Sequence, residues 1–129
     1  MNTQDYRSSI DAALAVLEAH FHGINTQDGE AVAATLHFPH YRLSQGRLQT
    51  WPGPETYLAD FRARAGDDWH HSSLDRCDVV AAGPNKVHID VQFTRFRQDD
   101  SVIGIYRSLW VISCLEGRWA AQLRSSFAK

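Results

Sequence analysis

Residues 86–128 read KVHIDVQFTRFRQDDSVIGIYRSLWVISCLEGRWAAQLRSSFA. Polar turns at Asp99-Asp100-Ser101 and Glu116-Gly117 divide this stretch into three β-rich runs. In the first, Val87, Ile89, Val91 and Phe93 alternate with His88, Asp90, Gln92 and Thr94. A period of two places alternate side chains on opposite faces, so it predicts an antiparallel sheet with one drier face. The run Val102–Leu115 is apolar on both parities at Leu109, Trp110, Val111 and Ile112. Such a strand needs cover on both sides, one side from helices and the other from a second subunit.

Working outward, Trp69–Ala82 precedes a Gly83-Pro84-Asn85 turn and completes a four-strand meander. Upstream the period becomes helical. Ile10, Leu14, Leu17, Phe21 and Ile24 share one face of a helix over Ser8–Gly23, with Ser8 and Asp11 as a start signal. Asp28 caps a short second helix over residues 31–36, and Pro39 ends it. Tyr41–Leu43 and Arg47–Trp51 form a short hairpin. Pro54 is placed to open a third helix carrying Tyr57, Leu58 and Phe61, with Gly66 as its stop. The expected fold is α+β: a cone-shaped, curved antiparallel sheet wrapped around three N-terminal helices, in one domain over residues 1–129. Its open end leaves a conical apolar pocket, the default location for a ligand.

Composition narrows the function classes. A chain of 129 residues suits one core, and 43% apolar with 22% charged residues is ordinary for a globular protein. A net charge of −2 with scattered Lys and Arg excludes the basic field of a nucleic-acid binder. No apolar run approaches the ~20 residues of a membrane span, and the N-terminal MNTQDYRSS lacks the pattern of a leader peptide. Cys77 and Cys114 read as free thiols. The expected location is cytoplasmic.

The helix running into Asp28-Gly29-Glu30-Ala31-Val32, the Gly53-Pro54-Glu55 segment, and the ending Gly117-Arg118-Trp119 through Arg124-Ser125-Ser126-Phe127 resemble the nuclear transport factor 2-like superfamily. That group includes ketosteroid isomerases and polyketide cyclases. The resemblance implies a cone fold, commonly dimeric through its outer sheet face. The three positions at which those isomerases carry a Tyr, a basic Asp and a second acid fall at His20, about Ser44 and about Leu109. None carries the required group, so steroid isomerase chemistry is not expected, and a fold alone does not assign an activity.

The remaining candidates are these. Seven histidines are many for this length, but no H-x-H or H-E-x-x-H occurs and no metal or cofactor is expected. His20, then His40 and His37, are candidate acid/base groups, or else hydrogen-bonded structural histidines. Gln122, Arg124 and Ser126 share one parity, and the family resemblance implies that this face looks into the cavity, with Arg107 of the neighbouring strand beside Arg124. Two guanidiniums there suit an acidic or enolisable small molecule; an ion pair with Asp60, Asp78 or Asp90, or a dimer contact, is the structural alternative. Tyr41, Trp51 and Tyr57 are candidate ligand-lining aromatics or plain core. Tyr106 and Trp110 are read as lying on the outer sheet face, and that face, with Trp119, is expected to meet either core or a partner subunit. The functional expectation is a small-molecule-binding protein, extended to a cofactor-free isomerase, cyclase or dehydratase in which His20 or His40 moves a proton and Arg124 stabilises negative charge. The alternative is a non-catalytic ligand-binding or dimeric interaction module.

Overall fold

The computed structural model describes residues 6–128. The leader-peptide reading of Met1–Asp5 lies outside them. The elements are α1 (Arg7–Asn25), α2 (Gly29–Ala34), β1 (Leu36–Ser44), β2 (Arg47–Trp51), α3 (Tyr57–Ala65), β3 (His71–Ala82), β4 (Lys86–Phe96), β5 (Val102–Leu115) and β6 (Arg118–Ser126). They form an α+β structure with one six-stranded sheet in the order β2-β1-β6-β5-β4-β3. The meander β3 to β6 is as expected. The sheet is nevertheless mixed and open, because the β1–β2 hairpin joins it through a parallel pairing of β1 with β6. No helix among the described residues is long and apolar enough to cross a membrane.

α1 presents Ile10, Leu17, Phe21 and Ile24 to the core as their spacing predicts, with Ala13 fully buried and Leu14, expected on that face, only partly buried. Its start differs from the expected one. Tyr6 occupies the N-cap without a side-chain cap, and Ser9 Oγ instead donates to Pro84 O at 3.0 Å. The helix is thus held by a tertiary bond to the β3–β4 turn. Its other end is clamped to β3 by Asn25, whose Nδ2 donates to Ser72 O while Oδ1 accepts from Ser72 N, each at 2.8 Å. Asp28 caps α2 by accepting from Ala31 N. Pro39 lies inside β1, where the register with β6 shifts between Leu36 and Tyr41; a strand tolerates proline at such an irregularity. Pro54 does not open α3. It sits in the preceding turn, its carbonyl accepting from Tyr57 N, and Thr56 is the N-cap. Gly66, at φ 89°, ends that helix as expected.

One strand parity is the reverse of the expected one. In the antiparallel register of β4 with β5, Ile89 faces Trp110, Val91 faces Ser108 and Phe93 faces Tyr106. Cross-strand partners share a face. Trp110 and Ser108 are therefore buried beside Ile89 and Val91 under the helices, and Leu109 and Arg107 point outward. Tyr106 and Trp119 also pack against the core, so these aromatics meet core, one of the two alternatives, and Tyr106 and Trp110 do not lie on the outer face. That face carries Ile105, Leu109, Leu123 and Phe127 instead.

Candidate functional site

The register builds a row of side chains on the helix-covered face. Arg42 of β1 lies beside Arg124 of β6, which lies beside Trp110 of β5. Ser126 and Ser108 form the next row. α3 brings Tyr57, Phe61 and Arg64 over them, spaced i, i+4 and i+7 on one helix face. α1 adds His20. Together these groups line an inner chamber of about 40 Å³. Arg42 and Arg64 also line an outer mouth of about 400 Å³, together with Ser44, Gln45, Arg47, Gln49 and Asp60. The cone is therefore largely filled from within, and two arginines separate what remains of it from the mouth. It is far smaller than the open pocket expected from the sequence, although Phe21, Ile24, Phe61 and Phe93 give its wall the expected apolar share.

Hydrogen bonds fix the protonation of both buried histidines. Thr35 Oγ1 donates to Val32 O at 2.6 Å, so it accepts from His20 Nδ1–H at 2.8 Å. His20 Nε2 is then left to accept from the Tyr57 hydroxyl at 3.4 Å. His40 Nδ1–H donates to Ala121 O at 3.1 Å, and its Nε2 accepts from Arg124 Nη1 at 2.7 Å. Both rings are neutral. Burial first, and then the Arg124 charge, push His40 down to about 3 and His20 well below the ordinary histidine value. His40 does not line the chamber; with both nitrogens engaged it positions Arg124.

The chamber is rich in donors. Trp110 Nε1 donates to Ser108 Oγ and Trp69 Nε1 donates to Ser72 Oγ. Ser126 Oγ accepts from Ala128 N. Each hydroxyl thus has its own proton left to give. Arg42 Nη2 donates to Ala128 O at 2.7 Å. Arg64 lies over the Trp51 and Phe61 rings, and its buried Nε and Nη1 have no hydrogen-bond partner among the described residues. Arg124 lies over Trp110 at 4.8 Å. Among the described residues no Asp or Glu lines the chamber, and Arg42, Arg64 and Arg124 form no ion pair. Asp60, the acid of the mouth, accepts from Trp51 Nε1 at 2.8 Å. Burial, and then the neighbouring Arg124, lower Arg42 to about 10 and Arg64 to about 9. Like charges side by side in a dry site oppose one another, and a bound anion would relieve that opposition.

Of the residues singled out by sequence, His20, Tyr57, Arg124 and Ser126 meet at this chamber. Trp51 is buried beside Tyr57 and His40. Arg107 does not join them: it lies on the outer face and pairs with Asp90, the structural alternative named for it. Tyr41 shares its register row with outward-facing Leu123. Gln122 falls at the irregularity between Ala121 and Leu123, outside the chamber lining. His37 is a structural ring, bonded to Ser113 O and Arg118. Leu109, the position compared with an isomerase acid, points away from the chamber; its inward neighbours Ser108 and Trp110 are not acids either. Arg42 and Arg64 escaped the sequence reading. Arg64 was within reach, because its spacing from Tyr57 and Phe61 is that of one helix face.

No family model and no curated protein matches the sequence. Solved structures do. A protein of unknown function with a cystatin-like fold from Nostoc punctiforme superposes with a TM-score of 0.74 at 13% identity, over 92% of this chain and 89% of its own. A nuclear transport factor 2-like protein from Cytophaga hutchinsonii gives 0.69 at 17% identity over the whole of both chains. A ketosteroid isomerase-like protein from Erwinia carotovora atroseptica gives 0.66 at 17% identity, over 91% of this chain and 93% of its own. At such identities the likeness establishes the fold, which is the nuclear transport factor 2-like, cystatin-like fold that the sequence resembles.

Proposed function

We propose that this protein binds an acidic small molecule at the chamber between α1, α3 and the sheet. The observation that carries this reading is the convergence of Arg42, Arg64 and Arg124 on a chamber that, among the described residues, no carboxylate lines. Guanidinium forks suit carboxylate and phosphate oxygens, and a dry site strengthens the pairing. Binding is better supported than acid/base turnover. His40 has no free nitrogen, and the Nε2 of His20 is turned to Tyr57. In a thermal-shift series at pH 7.5, small carboxylates and phosphate are expected to raise the melting temperature. Sodium chloride at equal ionic strength is not. Equal shifts from chloride and from the acids would remove the reading.

A second observation supports self-association. Ile105, Leu109, Leu123 and Phe127 form an exposed apolar outer face, and such faces commonly meet a second copy. A dimer is expected by light scattering at micromolar concentration. Ile105→Asp, at a residue 62% exposed, is expected to yield a folded monomer. A monomeric parent protein refutes the dimer.

A further inference from the structure

Resting on the acid-binding reading, the structure assigns the ligand to a narrower class: a small hydrophilic oxyanion whose charged head sits between Arg42, Arg64 and Arg124 and whose body lies in the polar mouth. Three observations carry this. The first is volume. The inner chamber offers about 40 Å³, against the roughly 10–15 Å³ that one water needs on the same measure and about 150 Å³ for a cavity that admits benzene. A carboxylate or phosphate head enters with small adjustments, whereas an aromatic or steroid-like body does not.

The second is the pattern of donors. The buried Arg64 Nε and Nη1 lack partners, and Ser72, Ser108 and Ser126 each have a hydroxyl proton left to give. An oxyanion accepts from several donors at once, and it supplies the charge these guanidiniums lack. Unmade hydrogen bonds on buried donors are costly, so a group that completes them gains affinity.

The third is the mouth. Ten times larger than the chamber, it is lined by Ser44, Gln45, Arg47, Gln49, Asp60 and one alanine, Ala63, besides the shared Arg42 and Arg64. Such walls pair hydroxyl, amide or second acidic groups of a ligand and leave an apolar body unsatisfied. Arg47 adds a further cation at the rim, so a diacid or a phosphate ester is favoured over a monoacid of equal size.

The test is calorimetric titration of the whole protein with malate, inorganic phosphate, glycerol 3-phosphate, benzoate and 2-naphthoate, repeated on Arg64→Met and Arg47→Gln. We expect malate or a phosphate probe to bind at least tenfold more tightly than either aromatic acid. Arg64→Met should abolish that binding while retaining the parent's circular dichroism and an equal or higher melting temperature. Arg47→Gln should weaken the diacid or ester more than inorganic phosphate. Malate against the phosphates distinguishes the two sources of the oxyanion. Tighter binding of benzoate or 2-naphthoate, lost in Arg64→Met, would overturn the hydrophilic class and leave the acid-binding reading standing. No binding of any of the five acids, by a protein that is folded, would overturn both. If Arg64→Met unfolds, the ranking of the five acids on the parent protein still decides.

Discussion

Stability is expected to fall steeply between pH 7 and pH 5, well above the range in which most carboxylates titrate. His20 and His40 are held neutral inside the fold. In the unfolded chain both revert to an ordinary value near 6.5. As the pH drops through that value the unfolded state takes up protons that the native state refuses. Their stabilising contribution is therefore complete above about pH 7 and shrinks as the pH falls, by about 1.4 kcal/mol per pH unit for each ring that remains neutral when folded. For His40, whose native value is about 3, the loss by pH 5 is on the order of 2 kcal/mol, and His20 adds to it. Against a total of roughly 5–15 kcal/mol this is a large fraction. Urea midpoints at pH 7.5, 6.5, 5.5 and 5.0 measure it. His40→Asn, which keeps a donor toward Ala121 O, is expected to reduce the slope by about half. A flat profile down to pH 5 would show that the two rings protonate in the native protein, and the hydrogen-bond pattern drawn here would be wrong.

Two adjacent residues provide the second large effect. Trp110→Ala is expected to cost about 3–5 kcal/mol, as removal of a large buried ring does. The ring is 3% exposed, meets the His20 ring at a centroid distance of 5.0 Å, lies under the Arg124 guanidinium, and bonds Ser108 through Nε1. Leu109→Ala, one residue earlier, is expected to cost under about 1 kcal/mol, because Leu109 faces outward. Denaturant midpoints of the two variants measured side by side decide the parity of β5. Equal costs, or a larger cost at Leu109, would contradict the placement of Trp110 inside.

Residues 86–128 illustrate how far sequence reading reached. The alternation of β4 identified its buried face, since Val87, Ile89 and Val91 are all fully buried. The bounds of β5 were also legible, between Asp100 and Glu116. Its orientation was not. Apolar residues on both parities give no period to read, and only the hydrogen-bond register with β4 decides which of them turns inward. The irregularity at Gln122 had the same effect on β6, allowing Ala121 and Arg124 both to face the helices across a break in alternation. The start of α1 misled for a related reason. Ser8 has the chemistry of a cap, but the helix begins one residue earlier and is tied through Ser9 to a turn 75 positions away.

By itself, then, the sequence determined the α+β class, the four-strand meander and the bounds of β2 to β6 to within a few residues, because these rest on local periodicity; β1, expected over Tyr41–Leu43, runs instead from Leu36 to Ser44, and His20, Tyr57, Arg124 and Ser126 were singled out as candidates with the help of the family resemblance. Tertiary structure alone decided the character of that site. The parallel pairing of β1 with β6 sets Arg42 beside Arg124, and the packing of α3 lowers Arg64 onto both, so that three charges distant in the chain share one small space with no carboxylate among the described residues. Periodicity reports which way a side chain points from its own strand or helix. Which charges meet depends on contacts between elements, and no local pattern records those.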